Sequence, residues 1–393
     1  MKNAILVLNA GSSSMKFQVF LQGDELTSIY SGLAERLKED APYVKIKNKD
    51  GDVVLKEDLA AKAGHGDALH LIIDTLEAEL AKEEVKLVYV GHRFVHGGDK
   101  YVAPVQITAE VIEGLKETIP LAPLHNPHHI TGIEYIANNY PTLKQVACFD
   151  TAFHATNPES IRTFALPRKF WDMGIKRYGF HGLSYEYIAH KMQEVAPLAR
   201  KTVVCHLGNG ASMCAIDNGK SIASTMGFTA LDGLPMGTRC GNIDASVALY
   251  MIDKLGMTSA EVNDVFNKQS GVLGLSGISN DLRDVEESDE PLAKLAMEYY
   301  TMSIARKVGD LASAMGGLDS IVFTAGGGEN SSLVRKMVSE KLAWLGAELD
   351  LEKNDCRGVV RQISTHTSKL ALYIIPTNEE LMIAQSTESL LEA

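Results

Sequence analysis

The sequence predicts an α/β chain built as two related domains with a ligand cleft between them. Three observations point there. First, a short apolar run, Ile5 to Leu8, leads into a small polar turn, Asn9 to Ser14, and out into an alternating run, Met15 to Phe20. Second, the same plan of strand, turn and strand returns at Val203 to Ile216, where Ser212-Met213 align with Ser14-Met15 and Asn209 falls on Gly11. A repeat at this long spacing means two related domains, not a solenoid of short units. Third, later strands end in charged or glycine-rich segments, where ligands gather in open α/β sheets.

The first hairpin has the chemistry of an anion site. A Gly/Ser turn between strands aims backbone N–H groups and hydroxyls at one spot, which suits phosphate. Lys16, just past the turn, brings a positive charge, and Asn9 a neutral oxygen. Two such turns in two related halves suit a nucleotide held between them.

Along the chain, Leu69, Ile72, Ile73, Leu76 and Leu80 recur at helical spacing. Val85 to Val90 reads as a strand that ends in the loop Gly91 to Gly98, with Arg93 inside it. Leu143 to Phe149 is a strand ending at Asp150-Thr151. Ile321 to Phe323 is another, ending in the loop Thr324 to Asn330. Pro291 starts a helix to about Met315, with Leu292, Leu295, Tyr299, Met302 and Val308 as its expected buried stripe and Gly316-Gly317 as its stop. Leu370 to Ile375 is a late strand. Pro376 to Glu380 opens the last helix, with Thr377 or Asn378 as N-cap. The domain boundary falls near Asp150 to Asn157, and no low-complexity linker marks it.

Composition narrows the function. The 393 residues carry a net charge of −12, which argues against a general nucleic-acid or membrane-surface binder. No apolar run is long enough to span a bilayer, and Asn9 interrupts the apolar N-terminal stretch too early for a secretory signal. The five cysteines include no C-x-x-C pair, which fits a reduced, cytoplasmic setting.

Several residues carry candidate chemistry. Arg93, in the Gly/His-rich loop Gly91 to Gly98, and Arg239, in the Gly-rich loop Leu234 to Asn242, offer a planar fork to carboxylate or phosphate. His125 and His181 sit in turns, His181 as an exposed donor. His128-His129 invites zinc, but no cysteine or acid nearby completes a ligand set. Asp150 ends a strand, and Glu379 or Glu380 begins a helix; one of these acids is expected near a Mg²⁺ that bridges phosphates. The P-loop, G-x-G-x-x-G, G-x-S-x-G and protein-kinase motifs are absent.

Asn9 to Ser14, Cys148 to His154, Tyr178 to Gly182, His206 to Gly210, Met236 to Arg239 and Pro376 to Leu381 together resemble the motifs of acetate kinase, in order and over essentially the whole chain. The resemblance implies the duplicated sugar-kinase/Hsp70/actin fold, with residues 1–150 as an N-terminal domain joined by a helix at about 378–393, and 151–377 as the C-terminal nucleotide-binding domain. It implies a homodimer and reversible transfer of the ATP γ-phosphoryl group to acetate, giving acetyl phosphate and ADP. It implies that Asn9 and Glu379 bind Mg²⁺ (or Mn²⁺). Lys16, His206, Leu207, Gly208, Asn209, Gly210, Asp281, Leu282, Arg283, Gly326, Gly327, Gly328, Glu329 and Asn330 would hold the nucleotide. Arg93 would grip the carboxylate, Asp150 act as catalytic acid, and His181 and Arg239 stabilise the transition state with His125 nearby. Val95, Leu124, Phe180 and the region of Ala230 would line the acyl pocket.

A carboxylate acceptor is already ionised near neutral pH, so no strong base is needed. Asp150 is therefore expected to orient groups. The sequence departs from the family at Cys240 and Asn242 (commonly Ser and Asp), at Gly327 (Ile), at Leu183-Ser184-Tyr185 (Thr-Ser-His) and at Ala230 (Pro). Propionate kinase is the alternative within the family. A sugar kinase would leave Arg93 and Arg239 without an anionic partner. An Hsp70-like module would need a substrate-binding domain, and the residues after the late strand read as one helix.

Overall fold

The computed structural model describes residues 2–392, which form two units: residues 2–153 with 378–392, and residues 154–377. The first unit holds an eight-stranded sheet of β1 (Lys2–Ala10), β2 (Ser14–Leu21), β3 (Thr27–Glu35), β4 (Tyr43–Asn48), β5 (Val53–Asp58), β6 (Val85–Phe94), β7 (Val105–Gln106) and β8 (Lys144–Phe149). Its order is β5-β4-β3-β2-β1-β6-β8-β7. β1 pairs antiparallel with β2 and parallel with β6, and β6 pairs parallel with β8.

The second unit holds β9 (Lys201–Leu207), β10 (Ala211–Asp217), β11 (Lys220–Ser224), β12 (Ser320–Thr324), β13 (Arg361–Gln362) and β14 (Ala371–Ile374). Their order is β11-β10-β9-β12-β14-β13. The run β3-β2-β1-β6-β8 and the run β11-β10-β9-β12-β14 thus share one plan: three antiparallel strands, then two parallel ones. This is the expected duplication. The two hairpins differ in register, however. Met15 pairs with Ala10, whereas Met213 pairs with Cys205, because the second turn spans one residue fewer between its last partners.

The first core forms where the apolar residues of β1 meet the helix His65–Lys82. Ile5 to Leu8 are buried, and so are Leu69, Ile72, Ile73, Leu76 and Leu80. Asn378, not Thr377, caps the last helix: its Oδ1 accepts from the Leu381 N–H at 3.0 Å. That helix, Glu379–Glu392, packs on β1, β6 and β8.

Three expectations need correction. Gly91 to Phe94 belong to β6, not to a loop, because Arg93 pairs with Cys148 and Phe94 with Phe149 in the ladder with β8. Ala325–Asn330 is a short helix, since Ala325 takes a left-handed conformation (φ 61°) that turns the chain sharply after β12. On the helix Pro291–Met315, Leu292, Leu295, Tyr299 and Met302 are exposed, and only Val308 of the expected stripe is buried. The buried face is Ala293, Met297, Tyr300, Ile304, Val308, Leu311 and Met315. These also follow helical spacing, one residue round, and the small alanines at its start admit close packing.

Gly91 has no room for a side chain. A Cβ there would lie 2.5 Å from Thr387 Oγ1 and 2.6 Å from Ile383 Cγ2, both on the last helix. Thr387 cannot swing away freely, because its hydroxyl donates to the Ile383 carbonyl. Gly91→Ala should therefore lift this helix from β6 and destabilise the protein by about 1–3 kcal/mol. A shift of the urea midpoint to lower concentration measures it, and an unchanged midpoint contradicts the packing argument.

Candidate active site

In the first unit, three elements bring charge together. β6 carries Arg93, the residue after β8 is Asp150, and the last helix opens at Glu379. The Asp150 N–H donates to the Phe94 carbonyl at 3.0 Å, which extends the ladder and fixes the acid beside Arg93. Arg93 Nη2 donates to Asp150 Oδ2 at 2.7 Å, and Arg93 Nε reaches both oxygens at 3.2 Å. Arg93 Nη1 lies 3.8 Å from Glu379 Oε2, so of the two candidate acids Glu379 is the one facing Arg93. Burial would lower the Arg93 pKa, but the carboxylates of Asp150, Glu379 and Glu380 more than reverse it. For Glu379, burial raises the pKa and Arg93 opposes it; with Asp150 and Glu380 adding repulsion, it is pushed up to about 7. Asn9 pairs with Lys16 across the β1–β2 ladder. The Gly11 carbonyl accepts from His65 Nε2 at 2.7 Å, which ties the turn to the helix below.

His125 is exposed ahead of the helix Asn126–Asn139. Leu124 is 70% exposed, and Val95 is half-buried. His128 stacks on His65 at 5.6 Å, and His129 packs on Phe94. Among the described residues, no group of three or more His, Cys, Asp or Glu has the arrangement of a metal site.

In the second unit, a cavity of about 760 Å³ is walled by Leu207, Gly208 and Asn209 from the β9–β10 turn, by Asp281, Leu282 and Arg283, and by Gly326, Gly327 and Asn330. That volume is in the range of small-ligand pockets. Asp281 caps the following helical turn and holds the Arg283 side chain, whose hydrogen bonds lower the Asp281 pKa to about 2. A Cβ on Gly327 would come within 2.8 Å of the Leu207 carbonyl, so an Ile cannot stand here without a backbone shift. Gly328 and Glu329 do not line the cavity. The Gly328 carbonyl accepts from Arg335, and Glu329 Oε1 accepts from the N–H groups of Ala325 and Thr377.

The loop with Arg239 packs straight onto the β9–β10 turn. A Cβ on Gly237 would strike Asn209 Oδ1 at 2.3 Å. This brings Arg239 and His181 to Gly210: a Cβ there would lie 3.7 Å from Arg239 Nη1 and 3.5 Å from His181 Nε2. Arg239 Nη1 donates to the Ala230 carbonyl at 3.1 Å, and burial lowers the Arg239 pKa. No carboxylate among the described residues pairs with it. His181 is half-buried rather than exposed. It precedes the helix Gly182–Val195 in a left-handed conformation (φ 57°) and stacks on His206 at 4.2 Å. Such strain in a non-glycine residue is typical of functional positions. Phe180 is buried, and its carbonyl accepts from His154 Nε2 at 2.9 Å. Asn242 donates to Asp232, the partner of Arg177. An Asp at 242 would set two carboxylates face to face.

Sequence reasoning missed Ser212, Tyr185, Ser184 and Tyr300. Ser212 accompanies the hairpin repeat. Tyr185 lies one helical turn past His181, a spacing that signals a shared face. Nothing in the sequence singles out Tyr300, whose buried hydroxyl has no partner on the cavity wall.

A duplicated α/β fold with a matching strand–turn–strand in each half and a buried arginine without a carboxylate partner is the plan of the actin-like ATPase fold. The Acetokinase family profile matches residues 4–385. The acetate kinase of Methylocella silvestris is 47% identical over 100% of this chain and 99% of its own. The crystal structure of Porphyromonas gingivalis acetate kinase superposes with a TM-score of 0.92 at 37% identity, covering 99% of this chain and 100% of that one. A propionate kinase from Francisella tularensis superposes at 0.91 with 40% identity, covering 98% and 99%.

The chain belongs to the acetokinase family. Its activity is that of an acetate kinase, a phosphotransferase with a carboxyl group as acceptor. Its substrates are a carboxylate and a nucleotide, with a divalent metal.

His92 gives a pH prediction. It is buried on β6 with Nε2 against Gln145 Oε1 at 2.8 Å, and burial pushes its pKa down to about 4 against the opposing Gln145 bond. The unfolded chain takes up a proton near pH 6.5, while the folded chain refuses it until about 4. Stability is therefore lost as pH falls through this window, by up to about 3 kcal/mol from this group. In His92→Asn, the slope of stability against pH between 6.5 and 4 should be shallower. Urea unfolding at several pH values checks it; equal slopes contradict the assignment.

Proposed function

We propose that the enzyme carries out Mg²⁺-dependent transfer between ATP and acetate. The observation that carries this is Arg239, a desolvated cation without a carboxylate partner beside the β9–β10 turn. Such a group meets the charge that spreads over the equatorial oxygens of a transferring phosphoryl group. His181, whose Nε2 faces the same turn, is the second donor. His206, Leu207, Gly208, Asn209 and Gly210, Asp281 to Arg283, Gly326 to Asn330 and Lys16 hold the nucleotide. Gly328 and Glu329 act through the backbone shape they fix.

In the first unit, Arg93 grips the acetate carboxylate, and Asp150 aims it. Asp150 and Glu379 face Arg93, with Glu380 and Lys16 also felt there, and these carboxylates favour a cation. Asn9 and Glu379 would hold the Mg²⁺, which supplies charge neutralisation at the nucleotide phosphates. His125 assists, and Val95, Leu124 and Phe180 receive the acyl group.

We assign the enzyme to the cytoplasm, supported by five cysteines that include no C-x-x-C pair. Among the described residues no helix is long and apolar enough to cross a membrane. A homodimer is supported by an exposed apolar surface: Leu292, Leu295, Tyr299 and Met302, together with Leu249 and Tyr250 on the helix Ala245–Asp253, which buries none of its residues within the chain.

Arg239→Ala should lower kcat by roughly two to three decades, the scale of removing a transition-state donor, with a smaller change in the KM for ATP. Arg239→Lys should also be strongly impaired, because a point charge does not replace a planar fork. An acetyl-phosphate assay measures both; an unchanged kcat overturns the role.

Propionate as a second substrate is favoured by Ala230, whose single methyl leaves more room than a proline ring. One methylene shifts specificity by roughly 10- to 200-fold, so acetate stays preferred and butyrate is poor. In Ala230→Pro the propionate-to-acetate ratio of kcat/KM should fall. A ratio that does not move removes Ala230 from the pocket.

A further inference from the structure

His181 does not meet the β9–β10 turn unaided. Tyr185, four residues on, lies on the same helical face. Its hydroxyl is 2.5 Å from Ser212 Oγ, and Ser212 Oγ is 2.8 Å from His181 Nδ1. Tyr185 and Ser212 are both fully buried. The Tyr185 ring is held edge-on by His154 and His206, so the phenol cannot leave this position without repacking.

A serine hydroxyl has one proton and two lone pairs; with only the phenol and Nδ1 beside it to receive that proton, a neutral ring leaves two orders in which the proton is donated. In the first, Tyr185 donates to Ser212, Ser212 donates to Nδ1, and the ring proton is at Nε2. In the second, Nδ1–H donates to Ser212, Ser212 donates to the phenol oxygen, and Nε2 is bare. We infer that the first order holds, making Tyr185 and Ser212 positioning residues that fix His181 as an Nε2–H donor.

Three points favour it. A phenol is a far stronger acid than a serine hydroxyl and is the better donor of the two. The bond at one ring nitrogen decides the proton at the other, and Nε2 is the nitrogen that faces Gly210 beside Arg239 Nη1. A bare lone pair there would repel an anionic phosphoryl group, whereas N–H stabilises it. Protonation would also make Nε2 a donor. It would, however, place a second cation beside Arg239 and in the stack with His206. The relay thus gives the site its donor without adding charge.

This inference rests on the proposed role of His181 in phosphoryl transfer, and its test separates the two. Long-range ¹H–¹⁵N correlation spectra of the ¹⁵N-labelled enzyme report which ring nitrogen carries the proton, and His181→Gln assigns the signals. The expected spectrum shows His181 protonated at Nε2 and bare at Nδ1 near neutral pH. Tyr185→Phe keeps the ring and should mix the tautomers, lowering kcat roughly tenfold or more, as tautomer errors do, with little change in the acetate KM. Ser212→Ala should lose at least as much. The double variant should lose no more than Ser212→Ala alone, because a relay is broken only once. A wild-type ring with bare Nε2, a Tyr185→Phe kcat within twofold of wild type, or additive losses each overturn the relay. Full activity in His181→Gln would instead overturn the role of His181, and the wild-type tautomer would still decide the relay.

Discussion

Arg93 is the cation on which the first unit's charged centre depends. β6, the end of β8 and the start of the last helix each supply one charge, and none is stable there alone. Asp150 is almost fully buried, and without the Arg93 fork it would be an unpaired interior carboxylate, which is strongly destabilising. The ladder that holds Arg93 opposite Cys148 and the Asp150 N–H bonded to Phe94 make this pairing a matter of backbone register. Register also explains why Gly91 must be small: the last helix has to lie close enough to bring Glu379 to the same end of the sheet.

The second unit treats its arginine in the opposite way. Arg239 is held by carbonyl and sulfur contacts that fix direction without cancelling charge. Arg93 is a cation already compensated by acids, while Arg239 is a cation awaiting an anion. The same side chain thus serves two ends, and the difference lies wholly in which neighbours the fold supplies.

Much of this was legible in the sequence. The apolar run Ile5 to Leu8, the spacing from Leu69 to Leu80 and the repeated hairpin are local patterns, and they gave the duplicated α/β plan. Arg93 and Arg239 stood out because glycines flank them. What could not be read was long-range. Whether Gly91 to Phe94 form strand or loop is decided by β8, some fifty residues away. The buried face of Pro291–Met315 misled because large apolar residues point outward as well as inward, and apolar size alone does not name the core side. Ser212 and Tyr185 are ordinary hydroxyls until the fold sets them in line with His181.

The last helix also bears on biosynthesis. Residues 378–392 complete a unit whose other residues, 2–153, are made earlier, with the whole second unit made in between. Domains generally fold as they emerge. This one cannot close: until residues 378–392 have been made, the apolar side of its sheet at Gly91 is bare and Arg93 lacks Glu379. A nascent chain interrupted before residue 378 would therefore expose an unfinished hydrophobic face, a natural target for chaperones and proteases. Assembly of the acidic cluster therefore waits until the whole second unit has been made.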